Sequence, residues 1–395
     1  MRVILFCCIL FNLIGISEFS LAENVSRPPQ FVVMAFDGAP DISRWESTRA
    51  FAKSLKAKNI SLHFTYFLSS VYFLEATNKT FYKGPYHNPG QSDVGFGGTE
   101  SEVLSRVAQA NAASSPEESH EMASHLNGHF DGTHWLAKDW EDEFTVFYDL
   151  IFKVFENNRI TNLPKIQWSF TPQSIVGFRA PYLAISVGLW EALKANHYRY
   201  DTSEVRPPTL WPDNKRGFWN FSLASLKIAG SGKSTLSMDY NFYVAQSGAK
   251  EDPAHSSLYE KQMYETYVHY FLDNYNGNRA PVHIGHHFPL MNAGAYWQAM
   301  QHFAETVCGL PEVRCVSYRE LADFMDAQKP GDLASFRAGR FEKLPALEIK
   351  TDLQTIFPSH LEAVDEDVMM GDMPAAHDPE LENRIEAGDR DGVQN

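Results

Sequence analysis

Four short segments carry residue types that could do chemistry. His125-Leu-Asn-Gly-His129 sets two imidazoles four residues apart, and neutral imidazole is a common zinc ligand. The spacing alone also suits two surface histidines. Gly128 and Gly132 argue against a long regular helix, so the pair is expected on a loop or a single helical turn. Asp37 ends an apolar run at residues 31–36 and precedes Gly38; a carboxylate there suits a metal ligand, a general base or a cap for the next turn. In Gly177-Phe-Arg179-Ala-Pro181-Tyr182 an arginine leaves a strand, where it can pair a carboxylate while a neighbouring backbone N–H faces an anionic oxygen. By itself this could be a structural ion pair. Val282-His283-Ile284-Gly285-His286-His287 alternates as a strand does, with Val282, Ile284 and His286 on one face. In a barrel the apolar face meets the outer helices, which points His287 inward, although a bulge at the strand end would present His286 instead.

A fifth segment is rejected. Gly230-Ser-Gly232-Lys233-Ser234-Thr235 ends like a phosphate-binding loop, but the position five before Gly232 is Lys227 where a glycine is needed. The residues after it do not read as the required helix.

These groups need elements to hold them. Residues 31–36 read as a strand buried on both faces and 45–57 as a helix; 64–67 reads as a strand and 71–86 as an irregular loop. Residues 100–111 read as a helix and 120–124 as a short strand. The stretch 136–156 carries an i, i+3, i+4 stripe of aromatic and aliphatic residues. Residues 175–179, 198–201 and 282–287 read as strands, with helices at 189–195 and 295–307. Short strands alternating with helices predict an α/β fold, a parallel sheet or irregular (β/α) barrel, with chemistry at the strand ends.

Charge and termini set the context. The 395 residues hold 34 basic and 49 acidic side chains, a net of −15, with 44% hydrophobic residues, so a sizeable core forms and a nucleic-acid partner is not expected. Residues 361–395 account for −9 of this charge without one aromatic residue, and are expected to be a disordered acidic tail with at most a short helix at 378–387. Arg2, the apolar run 3–14 and Ser20-Leu21-Ala22 read as a signal peptide cleaved before Glu23, giving an exported, periplasmic or secreted chain with no stable membrane span. Cys7 and Cys8 leave with it. The remaining pair, Cys308 and Cys315, is expected to close a small disulfide loop. The expected organisation is signal peptide 1–22, linker 23–30, catalytic domain 31–330, extension 331–360 and tail 361–395. The four Asn-x-Ser/Thr sites at Asn24, Asn59, Asn78 and Asn220 would be used only in a eukaryotic host.

Together and in this order, the four segments resemble the polysaccharide deacetylase family, the NodB-homology group of carbohydrate esterases, with cell-wall peptidoglycan N-acetylglucosamine deacetylases favoured within it. The similarity spans residues 31–325. It is carried by the histidine pair with its preceding Glu121-Met-Ala-Ser, by Arg179-Ala-Pro-Tyr, and less by Tyr200-Asp201-Thr-Ser and the late histidines. The resemblance implies an irregular (β/α) barrel that hydrolyses the acetamide of N-acetylated sugars with a divalent metal, zinc foremost. It also implies roles. His125 and His129 would bind the metal, Arg179 would hold the base, Pro181 and Tyr182 would border the substrate with the Tyr182 N–H on the oxyanion, and Asp201 would tune the late histidine acid. Trp211 would wall the acetyl pocket. The chain departs at the first motif, where the family shows two adjacent aspartates and this sequence has Asp37-Gly38, which leaves Asp37 either base or third metal ligand. Asp41 and Asp131 are candidates for the missing carboxylate. Two rival readings follow, a glycan-binding protein that has lost turnover and a C–N hydrolase acting on a small amide.

Overall fold

The computed structural model describes residues 25–164 and 167–351. The signal segment, the tail at 361–395 and its suggested helix lie outside the described residues. Strands β1 (Gln30–Gly38), β2 (Thr65–Leu68), β3 (Glu121–Ser124), β4 (Gly177–Phe178), β5 (Tyr200–Asp201), β6 (Val205–Arg206), β7 (Trp219–Asn220), β8 (Leu223–Lys227), β9 (Ser234–Leu236), β10 (Val282–His287) and β11 (Val313–Cys315) follow in chain order. Between them run α1 (Ile42–Ala57), α2 (Glu100–Ala113), α3 (Ala137–Phe152), α4 (Val154–Asn157), α5 (Val187–Ala195), α6 (Asp239–Ser247), α7 (Ser256–Asn276) and α8 (Ala295–Val307). Two helices, α9 (Tyr318–Asp326) and α10 (Pro330–Arg337), follow β11.

The main sheet has the order β10-β1-β2-β3-β4-β5-β7, every pair parallel, with β11 alongside the start of β1. A smaller sheet, β6-β8-β9, fills the remaining side, and a bridge from Met238 to Gly285 ties its far end to β10. The sheet therefore curls into an irregular barrel. Alternation sorts the strands in two. Val32, Met34 and Phe36 of β1 align with Val282, Ile284 and His286 of β10 and join the large outer core beneath the helices, while Phe31, Val33 and Ala35 face inward with Phe67 and Ala123. The interior is filled by Tyr318, Leu321 and Met325 of α9 and by Leu333 and Phe336 of α10. The expected extension thus begins inside the body, and the expected linker is tied down by Arg27, which pairs with Glu312 at 2.7 Å.

Some elements were not anticipated. The stripe at 136–156 breaks at Lys153, where the Asn157 amide donates to the Asp149 carbonyl at 2.9 Å and competes with the helical ladder. Helix α7, 21 residues long, buries Tyr259, Tyr264, Tyr267, Tyr270 and Tyr275, residues whose hydroxyls blur an apolar stripe. Cys308 and Cys315 form a disulfide with their Cα atoms 5.6 Å apart. The rejected glycine segment is the turn of the β8–β9 hairpin. Asn220 is 4% exposed, its amide donating to Glu204, which removes it as a glycan acceptor. Among the described residues no helix is long and apolar enough to cross a membrane.

Candidate active site

The site lies where β1, β3, β4 and β10 end. Asp37 is the last inward residue of β1, aligned with His287 of β10 on one side and Phe67 of β2 on the other. Gly38 then turns the chain at φ +78°, a conformation costly to residues with a Cβ. Arg179, fully buried just past β4, donates from Nη1 to Asp37 Oδ1 at 2.7 Å and from Nε to Thr202 Oγ1 at 2.8 Å. Its guanidinium lies 4.5 Å over the Phe67 ring and reaches the Tyr318 hydroxyl at 3.3 Å, so packing fixes it in one pose. Burial disfavours its charge, yet Asp37 beside it raises the pKa further. Gly285 leaves room for this arm: a Cβ there would stand 3.1 Å from Arg179 Nη1 and 2.7 Å from the end of Met238.

The histidine pair lies on a loop, with Leu126 and His129 both at positive φ. The His125 Nδ1–H donates to the Arg179 carbonyl at 2.8 Å, which leaves Nε2 carrying the lone pair. Arg179 thus holds Asp37 with its side chain and His125 with its backbone. The two imidazole centroids are 5.1 Å apart. Burial lowers the pKa of both rings, and the neighbouring imidazoles push His129 down further. His129 Nδ1 is buried with no hydrogen-bond partner. Tyr182, at φ +55° in the short turn Pro181–Leu183, sets its ring edge-on to His129 at 4.5 Å, and its hydroxyl donates to Asp93 at 3.3 Å. Tyr182 therefore stands beside the imidazole pair.

The late histidines face opposite sides of the sheet, and both approach Asp239, His286 Nδ1 at 3.5 Å. His286 points outward among Phe36 and Tyr267, is 1% exposed, and burial pushes its pKa down to about 4. His287 points inward and is 29% exposed. Its Nδ1 meets Asp239 Oδ1 at 2.7 Å, and its backbone N–H donates to Asp239 Oδ2 at 2.8 Å. Burial opposes a charged ring, and the Asp239 carboxylate outweighs it, so the His287 pKa lies above the ordinary value.

Several sequence expectations need correction. Asp201 does not touch His287: it aligns with outward-facing Phe178, and Ser203 donates to it from Oγ at 2.6 Å and from its backbone N–H at 3.1 Å. Burial raises its pKa to about 7. The partner of His287 is Asp239, which the sequence reading passed over; an aspartate just after a short alternating strand was the available signal. Trp211 lies at the opposite end of the barrel, its Nε1 donating to the Asn278 carbonyl at 2.8 Å and its ring packed on Phe336. It borders a separate small cleft with His283. Asp37 Oδ1 is engaged by Arg179. Among the described residues no group of three or more His, Cys, Asp or Glu is arranged to hold a metal ion, so Asp37 does not complete a ligand set with the two imidazoles. Asp41 caps α1 by accepting from the Arg44 N–H, and Asp131 accepts from the Thr133 N–H, so neither replaces the missing carboxylate.

The donor chemistry of His125 and His129 fits a divalent ion: both rings are held neutral, one has its tautomer fixed by a carbonyl and the other has an unpartnered buried nitrogen. Among the described residues a third protein ligand is not gathered with them.

No family model matches the sequence, and no curated protein matches it. Solved structures are similar at a distance. A Mycobacterium smegmatis protein assigned to the polysaccharide deacetylases is 13% identical, with a TM-score of 0.44 over 83% of this chain and 100% of that one. A family 4 carbohydrate esterase from Streptomyces lividans, in complex with acetate, is 12% identical, with a TM-score of 0.35 over 70% of this chain and 88% of that one. A family 4 pseudoenzyme from Bacillus anthracis is 8% identical, with a TM-score of 0.38 over 75% of this chain and 66% of that one.

Proposed function

We propose that this chain is an exported, metal-dependent N-deacetylase that removes acetyl groups from N-acetylglucosamine units of a cell-wall glycan, peptidoglycan before chitin. The observation that carries this reading is the adjacency, across β1 and β10, of a carboxylate fixed by Arg179 and an imidazole fixed by Asp239, beside two neutral imidazoles. A base and an acid on neighbouring strands can serve the two halves of amide hydrolysis. The disulfide supports an oxidising compartment.

In this reading Asp37 takes the proton of the attacking water, with its carboxylate aimed by Arg179. The oxyanion that forms faces the backbone N–H of Tyr182, whose ring packs against His129. His287 then gives a proton to the departing nitrogen, and Asp239 both stabilises its charged form and fixes its orientation. A divalent ion, zinc in first place, would be held by His125 and His129 and would polarise the acetyl carbonyl.

Acetate release from N-acetylglucosamine oligomers and from peptidoglycan tests the reading. Release that stops with a chelator and returns with zinc is expected; undiminished release from fully metal-stripped protein would overturn it. The lack of a third gathered ligand favours one alternative, a glycan-binding protein without turnover, for which sugar binding with no acetate release is the expected outcome.

A further inference from the structure

We infer that Glu143 is a positioning residue, whose buried carboxyl, acting through Asn127 and Tyr82, sets the pose of the loop that carries His129. The inference rests on the reading of His125 and His129 as a metal-holding pair and adds the group that fixes the second imidazole. Helix α3 buries Trp140, Phe144, Phe147 and Ile151 along one stripe, and Glu143 falls on that stripe at 2% exposure. A carboxyl buried among rings is costly unless hydrogen bonds meet it. Two neutral side chains do so. Asn127 Nδ2 donates to Glu143 Oε2 at 2.8 Å and to the Glu143 carbonyl at 2.9 Å, and the Tyr82 hydroxyl donates to Oε2 at 3.1 Å. The same hydroxyl accepts from the Gly128 N–H at 3.1 Å, and Asn127 Oδ1 accepts from Ser70 Oγ.

These bonds grip the peptide that leads into His129. Asn127 and Gly128 are the two residues before it, and a Cβ on Gly128 would stand 2.6 Å from the Tyr82 ring, so the glycine lets the loop close on Tyr82. The loop needs holding. Leu126 and His129 both sit at positive φ, where residues with a Cβ stay only when their surroundings oblige them. The two imidazoles are then fixed by different means. The His125 Nδ1–H meets the Arg179 carbonyl, the usual way of orienting a ligating ring, whereas His129 Nδ1 has no partner and its ring packs edge-on to Tyr182. The direction of the His129 ring therefore comes from the loop backbone, and that backbone is anchored on α3.

The test measures zinc affinity by calorimetry on metal-stripped full-length protein, counting the binding that His129→Ala removes. Wild type is compared with Glu143→Ala, Glu143→Gln, Tyr82→Phe and Leu150→Ala, the last a buried residue about two turns further along α3. Loss of a group bonded to a metal ligand costs about 10- to 100-fold in affinity, and Glu143 acts one residue further out, so E143A should weaken zinc by about 10-fold and Y82F by less. Burial pushes the Glu143 carboxyl up to about 8, so near neutral pH it is mainly uncharged. The E143Q amide offers an oxygen to both donors and should hold zinc within about twofold of wild type. L150A lowers stability and should leave zinc affinity in place. Unchanged affinity in E143A, no recovery in E143Q, or an equal loss in L150A would overturn the role, because the carboxyl would then serve packing alone. If wild type binds no zinc, the metal reading fails, and hydrogen exchange decides the positioning separately. Faster exchange at residues 125–130 in E143A, with 282–287 unchanged, supports it, and equal exchange at 125–130 overturns it. Should E143A not fold, Y82F carries both measurements with the same outcomes.

Discussion

His283 and His287 stand on the same inward face of one strand and have opposite fates. His283 stacks on Tyr318 with centroids 5.6 Å apart and planes 7° apart, its Nδ1 has no partner, and burial pushes its pKa down to about 3. His287, four residues on, is bonded to Asp239 and partly open to solvent, and its pKa is raised. The difference is the arrival of a carboxylate. At the lower end of the barrel β10 meets aromatic rings and the α9 plug, and the charged pairs there, Arg27 and Arg279 with Glu312, surround the disulfide region as supports. At the upper end the bridge from Met238 to Gly285 delivers Asp239 to the last histidine. A histidine becomes a neutral core filler or a carboxylate-paired ring of raised pKa according to what the neighbouring strand ends with.

Substitutions can break this contrast at either end. The largest effect is expected at Asp37. Asp37→Asn should lower kcat for acetate release about 1,000-fold by removing the base. It should also lower stability by about 3 kcal/mol, because Arg179 stays buried without its charge partner, as denaturant unfolding would measure. Asp239→Asn should lower kcat about 100-fold. The pH profile sharpens the assignment: with the carboxylate that raises His287 gone, the acid loses its proton at lower pH and the alkaline limb of kcat moves down, whereas Asp201→Asn should leave that limb in place. The smallest effect on activity is expected at His283. Its folded pKa of about 3 lies below the unfolded value of about 6.5, so its contribution to stability is complete above the unfolded pKa and is lost as pH falls toward the folded one. His283→Phe takes up no proton, and should retain up to about 3 kcal/mol more of its neutral-pH stability at pH 4, read by denaturant unfolding at the two pH values.

Much of the upper end was legible in the chain. The apolar run ending at Asp37, the arginine leaving a strand at Arg179 and the alternation that separates His286 from His287 are local patterns, and the structure places all of them as strand periodicity requires. The parallel barrel followed from strands alternating with helices. What failed was long-range pairing. Asp239 meets His287 across 48 residues, through a bridge that no periodicity announces. Asp201 was given that role on family position, but its strand is two residues long and its register sends it to Ser203. The Trp211 role follows from the resemblance, and its indole is spent on a carbonyl at the other end of the barrel. The tyrosine-rich helix α7 and the plug helices α9 and α10 were missed because their burial is decided by partners distant in the chain.

The plug has a consequence in time. Asp37 meets Arg179 across 142 residues, Arg179 meets Tyr318 across 139, and Gln30 reaches the Ala280 carbonyl across 250. Such closures cost loop entropy before any contact rewards them, so the barrel belongs among slow-folding topologies. A chain leaving the ribosome N-terminus first carries Asp37 from the start, receives His287 only after β10 is made, and gains Tyr318 against Arg179 later still. Shorter nascent chains hold Asp37, Arg179 and Asp239 but not the α9 residue that packs on Arg179, so these groups are aligned only late in synthesis.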